Sequence, residues 1–105
     1  MIYIGNKKSG FNLEKGVNIY VGRPTPLGNT YPLSLGRSNC IQLYRDKLKE
    51  LLEKSEGARN LIDHIVGYCM NGQDVVLVCW CAPLECHGNV IRDYVYYLLR
   101  LYEEA

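Results

Sequence analysis

Val75-Val76-Leu77-Val78-Cys79-Trp80-Cys81-Ala82-Pro83-Leu84-Glu85-Cys86-His87-Gly88 is the stretch that decides how this chain folds. Its first four residues form an uninterrupted apolar run, the pattern of a strand covered on both faces. From Asn89 to Tyr102 the apolar residues Val90, Ile91, Tyr94, Val95, Tyr97, Leu98, Leu101 and Tyr102 recur at helical spacing. A buried strand thus hands over to a helix through a loop carrying three cysteines, a tryptophan and a histidine. In α/β sheets ligands bind beyond the carboxyl ends of the strands, beside helix N-termini whose unpaired N–H groups attract anions.

Working back toward the N-terminus, Ala58 to about Met70 reads as a helix with Leu61, Ile62, Ile65, Val66 and Cys69 on one side. Asn71-Gly72 is its left-handed stop. His64 lies on or beside the apolar stripe and is expected to be partly buried. Ser55-Glu56-Gly57 separates this helix from another, capped by Ser38 or Asn39 and running to about Lys54. Ile41, Leu43, Tyr44, Leu48, Leu51 and Leu52 form the inner stripe of that earlier helix.

Before the helices stand two short strands, Ile2-Tyr3-Ile4 and Val17 to Val21, expected to be neighbours. The loop Gly22-Arg23-Pro24-Thr25-Pro26-Leu27-Gly28-Asn29-Thr30-Tyr31-Pro32 holds three of the four prolines, which makes it stiff. Gly22 and Gly28 permit close backbone approach. Arg23 is a planar fork suited to an anion, or alternatively to a carboxylate of the protein itself.

The order β-β-loop-α-α-β-loop-α contains one βαβ unit, whose strands run parallel. Parallel strands bring the Gly22–Pro32 loop and the Cys79–Gly88 loop to the same sheet edge, so one site built from both follows. The expected fold is a small single-domain, Rossmann-like α/β sandwich over residues 1–105, with a short, partly parallel sheet and three helices.

Composition narrows the function. The 105 residues carry 12 basic and 11 acidic side chains, net +1, so no global field draws nucleic acid nonspecifically. Hydrophobic content of 48% argues against disorder. No apolar run approaches the roughly 20 residues of a membrane span, and Met1-Ile2-Tyr3 does not open a signal peptide, which predicts a cytoplasmic protein. Five cysteines, an odd number, suit a reducing compartment better than a disulfide framework. The final helix is apolar around much of its girth, which predicts a homodimer joined through it.

Three chemistries fit the Cys79–His87 loop. Cys79, Cys81, Cys86 and His87 are ligand types that zinc accepts, although C-x-C-x4-C-H is not the usual paired-knuckle spacing. Cys86 and His87 are the catalytic candidates: the thiol precedes a helix N-terminus, which lowers its pKa, and the imidazole titrates near neutrality. Finally, Trp80 and the tyrosines supply stacking surface, with Arg23, Asn29 and the helix N-terminus at Gly88 supplying anion and hydrogen-bond contacts. That combination predicts a nucleotide-like ligand, a planar base with phosphate.

The two loops together resemble a family of short phage and bacterial proteins and domains defined only as a domain of unknown function. The matching residues are Gly22-Arg23-Pro24-x-Pro26-Leu27-Gly28-Asn29, then Arg37 with Tyr44-Arg45, then Cys79-Trp80-Cys81-x-Pro83-x-x-Cys86-His87-Gly88. Thr30 stands where the family usually carries proline. The resemblance implies one two-loop site, and the residues expected to bind its ligand are Gly22, Arg23, Leu27, Gly28, Asn29, Arg37, Trp80, Cys81, Pro83 and Gly88. It names no reaction. Its phage context implies a role in nucleotide metabolism or against nucleotide-signal defences, in the host cytoplasm.

Overall fold

The computed structural model describes residues 1–104. Three strands, β1 (Ile2–Asn6), β2 (Val17–Tyr20) and β3 (Val75–Cys79), and three helices, α1 (Arg37–Lys54), α2 (Glu56–Met70) and α3 (His87–Glu104), make an α/β fold. Short 3₁₀ turns lie at Leu13–Lys15 and Leu33–Leu35.

The sheet order is β1-β3-β2, and both pairings are parallel, with Ile4 and Ile19 both opposite Leu77. This corrects two expectations. The sheet is wholly rather than partly parallel, and the first two strands are not neighbours, because β3 lies between them. The physical reason is the apolarity of β3. All five of its residues are buried, whereas β1 ends in Asn6 and β2 carries the exposed Asn18, as suits edge strands.

Val75, Leu77 and Cys79 share one core with Ile2 and Ile4 of β1, Tyr44 and Leu48 of α1, Ile62 and Ile65 of α2, and Ile91 and Val95 of α3. The helices therefore gather on one face. The other face is covered by the chain between β1 and β2. At Gly5, a Cβ would lie 2.6 Å from Val76 Cγ1 and 3.1 Å from Leu13 Cδ2, so the covering segment leaves room for hydrogen only.

The helix boundaries shift by a few residues from the sequence reading. Helix α1 starts at Arg37 behind Gly36, whose φ of 88° suits glycine, while the Asn39 amide donates back to the Leu35 carbonyl instead of capping. Ser55 alone separates α1 from α2, and its hydroxyl accepts the Ala58 N–H as the cap of α2. Gly72 closes α2 with φ 79° as predicted. His64, expected to be partly buried, is exposed. On α3 the buried face is Val90, Ile91 and Val95, whereas Tyr97, Leu101 and Tyr102 are exposed. Tyr96, outside the predicted stripe, accepts the Ile2 N–H at 2.8 Å and ties α3 to the sheet.

Candidate functional site

The two loops meet at the carboxyl edge of the sheet and enclose a cleft of about 610 Å³. Gly22, Arg23, Asn29 and Arg37 line it on one side, and Cys79, Trp80, Cys81, Cys86 and His87 on the other. Tyr20, Tyr31, Pro32, Leu33, Cys40 and Ile41 complete the wall. A second cavity of about 420 Å³ lies between the first loop and α1, bounded by Pro26, Gly28, Tyr44 and Lys47.

The first loop is held from inside. Leu27 is fully buried, and the Tyr44 hydroxyl donates to its carbonyl at 2.6 Å. Thr25 donates from its N–H and its hydroxyl to the Gly22 carbonyl, and Gly28 N–H returns to Thr25. A Cβ at Gly28 would lie 3.0 Å from the Arg23 backbone, so the turn closes only around glycine. Arg23 directs its Nε to the Asn29 carbonyl and another guanidinium nitrogen to the Tyr31 carbonyl at 3.1 Å. It thus organises the loop with one edge of its fork, and no carboxylate pairs with it among the described residues. Asn29 Oδ1 accepts the Tyr31 N–H at 2.9 Å, leaving its amide N–H groups for other partners.

The second loop is held from β1. The Asn6 amide nitrogen donates to the carbonyls of Trp80 (3.1 Å) and Ala82 (2.8 Å). Arg37 reaches from α1 to the Glu85 carbonyl at 3.2 Å. Trp80 is 54% exposed and meets Tyr20 edge to face, with the indole N–H donating to the Tyr20 hydroxyl at 2.8 Å. That hydroxyl donates onward to the Arg23 carbonyl at 2.7 Å. The Lys7 ammonium sits 4.9 Å from the Tyr20 ring centre and 5.7 Å from that of Trp80. The chain Trp80–Tyr20–Arg23 joins the two loops across the mouth of the cleft.

His87 is the first residue of α3, two residues earlier than the predicted start, and it is buried. Its Nε2 lies 2.7 Å from the Val21 carbonyl. A carbonyl only accepts, so Nε2 carries the hydrogen. Tyr44 meets the imidazole edge to face at 5.2 Å. Burial pushes the His87 pKa below its ordinary value, and the hydrogen bond to Val21 opposes that shift only in part.

Cys79 ends β3 and Cys86 directly precedes α3, and their sulfurs lie 3.1 Å apart. Cys81 N–H points at the Cys79 sulfur from 3.5 Å. The two thiols cannot ionise independently. The S–H of Cys86, helped by backbone N–H groups of Cys81 and Ala82, pushes the Cys79 thiol down. The same contact, with burial, pushes Cys86 up, although Gly88 N–H favours its thiolate. The sequence reading expected a lowered Cys86. The helix end does act on it, but contact with Cys79 outweighs that effect.

Three sulfurs, those of Cys79, Cys81 and Cys86, lie within 4.8 Å of one another and form a set of soft donors suited to zinc. His87 does not join them: its Nε2 faces the Val21 carbonyl, and neither ring nitrogen falls within that cluster of sulfurs. Tetrahedral zinc thiolates place their sulfurs roughly 3.8 Å apart, from bonds of about 2.3 Å. The Cys79–Cys86 contact would therefore have to open. The donors fit an open three-ligand site rather than a closed four-ligand one.

Four predicted binding residues do not line the cleft. Leu27 is core, Gly28 faces the second cavity, and exposed Pro83 borders a different depression with Tyr3 and Arg92. Gly88 is buried against Ile4, whose Cδ1 would lie 3.5 Å from a Cβ there. Conversely, sequence reasoning missed Asn6, Lys7, Tyr20, Tyr31 and Cys40. Asn6, Lys7 and Tyr20 stand at the ends of β1 and β2, a signal readable once the strand order is known, whereas Tyr31 lies in the first loop and Cys40 in the first turn of α1.

No curated protein and no solved structure matches the chain. A family model matches residues 5–96, a span that includes both loops, the end of β1, all of β2, β3, α1 and α2, and the first half of α3. The chain therefore belongs to the family described as Domain of unknown function (DUF4326).

Proposed function

We propose that the cleft binds a small, nucleotide-derived molecule carrying a planar ring and a phosphate. The observation that supports this best is the lining. Tyr20, Tyr31 and Trp80 stand with Arg23 and Arg37, and no carboxylate side chain is among the lining residues. The volume of about 610 Å³ lies in the range of small-molecule sites. The ring stacks on Trp80, the Asn29 amide donates to the ligand, and the free edges of the Arg23 and Arg37 forks take the phosphate. In the phage setting implied by the family resemblance, such a protein sequesters or processes a nucleotide signal.

The test is a thermal-shift and calorimetric screen with mononucleotides, cyclic nucleotides and dinucleotides beside inorganic phosphate and free nucleosides. A nucleotide that binds more tightly than either of its halves supports the reading. If no member shifts the melt of the protein, or if phosphate alone does as well, the reading fails.

A second reading is favoured by the three clustered sulfurs: a zinc ion held by Cys79, Cys81 and Cys86, its remaining position turned to the cleft. Chelation would then lower the melting temperature, and added Zn²⁺ would restore it. A melt indifferent to both removes this reading without touching the first.

A further inference from the structure

The floor of the cleft holds two thiols in contact, a feature that ligand binding does not require. We infer that Cys79 and Cys86 are a modification site, a dithiol that a small hydroperoxide oxidises to a disulfide. Their sulfurs are 3.1 Å apart, roughly 1 Å beyond the bonded length of about 2.05 Å.

Both residues are fixed by the backbone. The Cys79 carbonyl accepts Lys7 N–H at 2.9 Å, holding the end of β3. Cys86 N–H donates to Asn89 Oδ1 at 2.9 Å, and its carbonyl accepts Asn89 N–H at 3.0 Å, holding the start of α3. Closing the remaining gap takes side-chain rotation and small backbone give. Both residues are buried from bulk solvent yet line the cleft, so a peroxide-sized oxidant reaches them while larger reagents are hindered. Cys81 also lines the cleft but is not in sulfur contact with either thiol, and Cys40 and Cys69 lie apart from the pair. The Cys40 thiol donates to the Pro32 carbonyl at 3.0 Å, and Cys69 lies on α2 away from the cleft.

The chemistry balances in two steps. The Cys79 thiolate attacks one peroxide oxygen, the O–O bond breaks, and the departing oxygen leaves as alcohol or water after taking a proton. Cys79 is then a sulfenic acid, oxidised by two electrons. The Cys86 sulfur next attacks Cys79, the S–O bond breaks, and the hydroxyl leaves as water with the Cys86 proton. A dithiol reductant reverses the bond by exchange. The inference rests on the two sulfurs alone and stands apart from the proposed ligand.

The experiment uses the whole chain, reduced and stripped of metal with chelator, exposed to hydrogen peroxide and then alkylated. Cleavage after Trp80 and after Glu85 separates the three thiols of the loop for mass spectrometry. The expected product has lost two hydrogens, joins Cys79 to Cys86, and reverts with dithiothreitol. In Cys86→Ser the sulfenic acid on Cys79 persists and is trapped by dimedone, whereas Cys81→Ser still forms the bond. Oxidation confined to Cys81 or Cys69, or a bond joining any other pair in the unmutated protein, overturns the inference. That mapping needs no variant to fold.

Discussion

His87 and Val21 are joined by a hydrogen bond of 2.7 Å between the first residue of α3 and the residue that follows β2. The two loops of the cleft are therefore latched at their roots, one at each end of this bond. His87→Leu removes the donor and leaves the Val21 carbonyl buried without a partner. We expect a loss of about 1–3 kcal/mol, read from the midpoint and slope of urea unfolding. An unchanged midpoint would mean that the bond contributes nothing net.

The same residue makes stability depend on pH. Burial holds the folded pKa of His87 below the ordinary 6.5. As pH falls below that value the unfolded chain takes up a proton that the folded chain refuses, so stability falls. The loss ends below the depressed folded pKa. Urea midpoints measured from pH 8 downward, roughly to pH 5, should decline in the unmutated protein and decline less in His87→Leu. Parallel curves would assign the slope to other groups.

Tyr44→Phe tests the anchor of the first loop. Its hydroxyl is the donor to the Leu27 carbonyl, and burial keeps the phenol protonated far above neutrality. The variant should lose about 1–3 kcal/mol without any new pH dependence near neutrality. Circular dichroism melts across pH 6 to 9 provide the check.

Arg23→Lys keeps the charge and loses the fork that spans the carbonyls of Asn29 and Tyr31. For any anionic ligand found in the screen we expect affinity to fall at least tenfold, about 1.4 kcal/mol, the scale of one charged hydrogen bond. Calorimetry decides it. Equal affinity would show that only net charge matters there.

Trp80 is the sole tryptophan, so its emission reports on the cleft directly. Because its ring is half exposed, Trp80→Ala should change stability by less than about 0.5 kcal/mol. Loss of stacking should still weaken ligand binding by about 1–3 kcal/mol. Substantial destabilisation instead would mean that the Tyr20–Trp80–Lys7 contacts hold the fold.

The elements that sequence reading placed well are those with a strong local cause. Strand β3 was legible because burial on both faces leaves no polar alternation, and the stop at Asn71-Gly72 because glycine alone takes that φ cheaply. Neighbouring in sequence was a poor guide for β1 and β2, because a more apolar strand far along the chain took the place between them. At the site, Arg23, Trp80 and His87 were readable as chemistry-bearing types at strand ends. Leu27 and Gly28 belong to the same motif but serve the turn itself, one by filling the core and one by yielding space. Asn6 and Lys7 were invisible because their partners lie on the Trp80 loop, over seventy positions along the chain. Cys86 was misjudged for a similar reason: the helix end is local, whereas Cys79 arrives by folding.

The place of β3 at the centre of the sheet also bears on synthesis. The strand that both others need is made after them, so a nascent chain ending at Asn71 has two strands and no surface for either to pair with. Until Val75–Cys79 leaves the ribosome, the α1–α2 hairpin is the largest unit with local contacts to form. β1 and β2 wait as separate edges, open meanwhile to chaperones and to other chains.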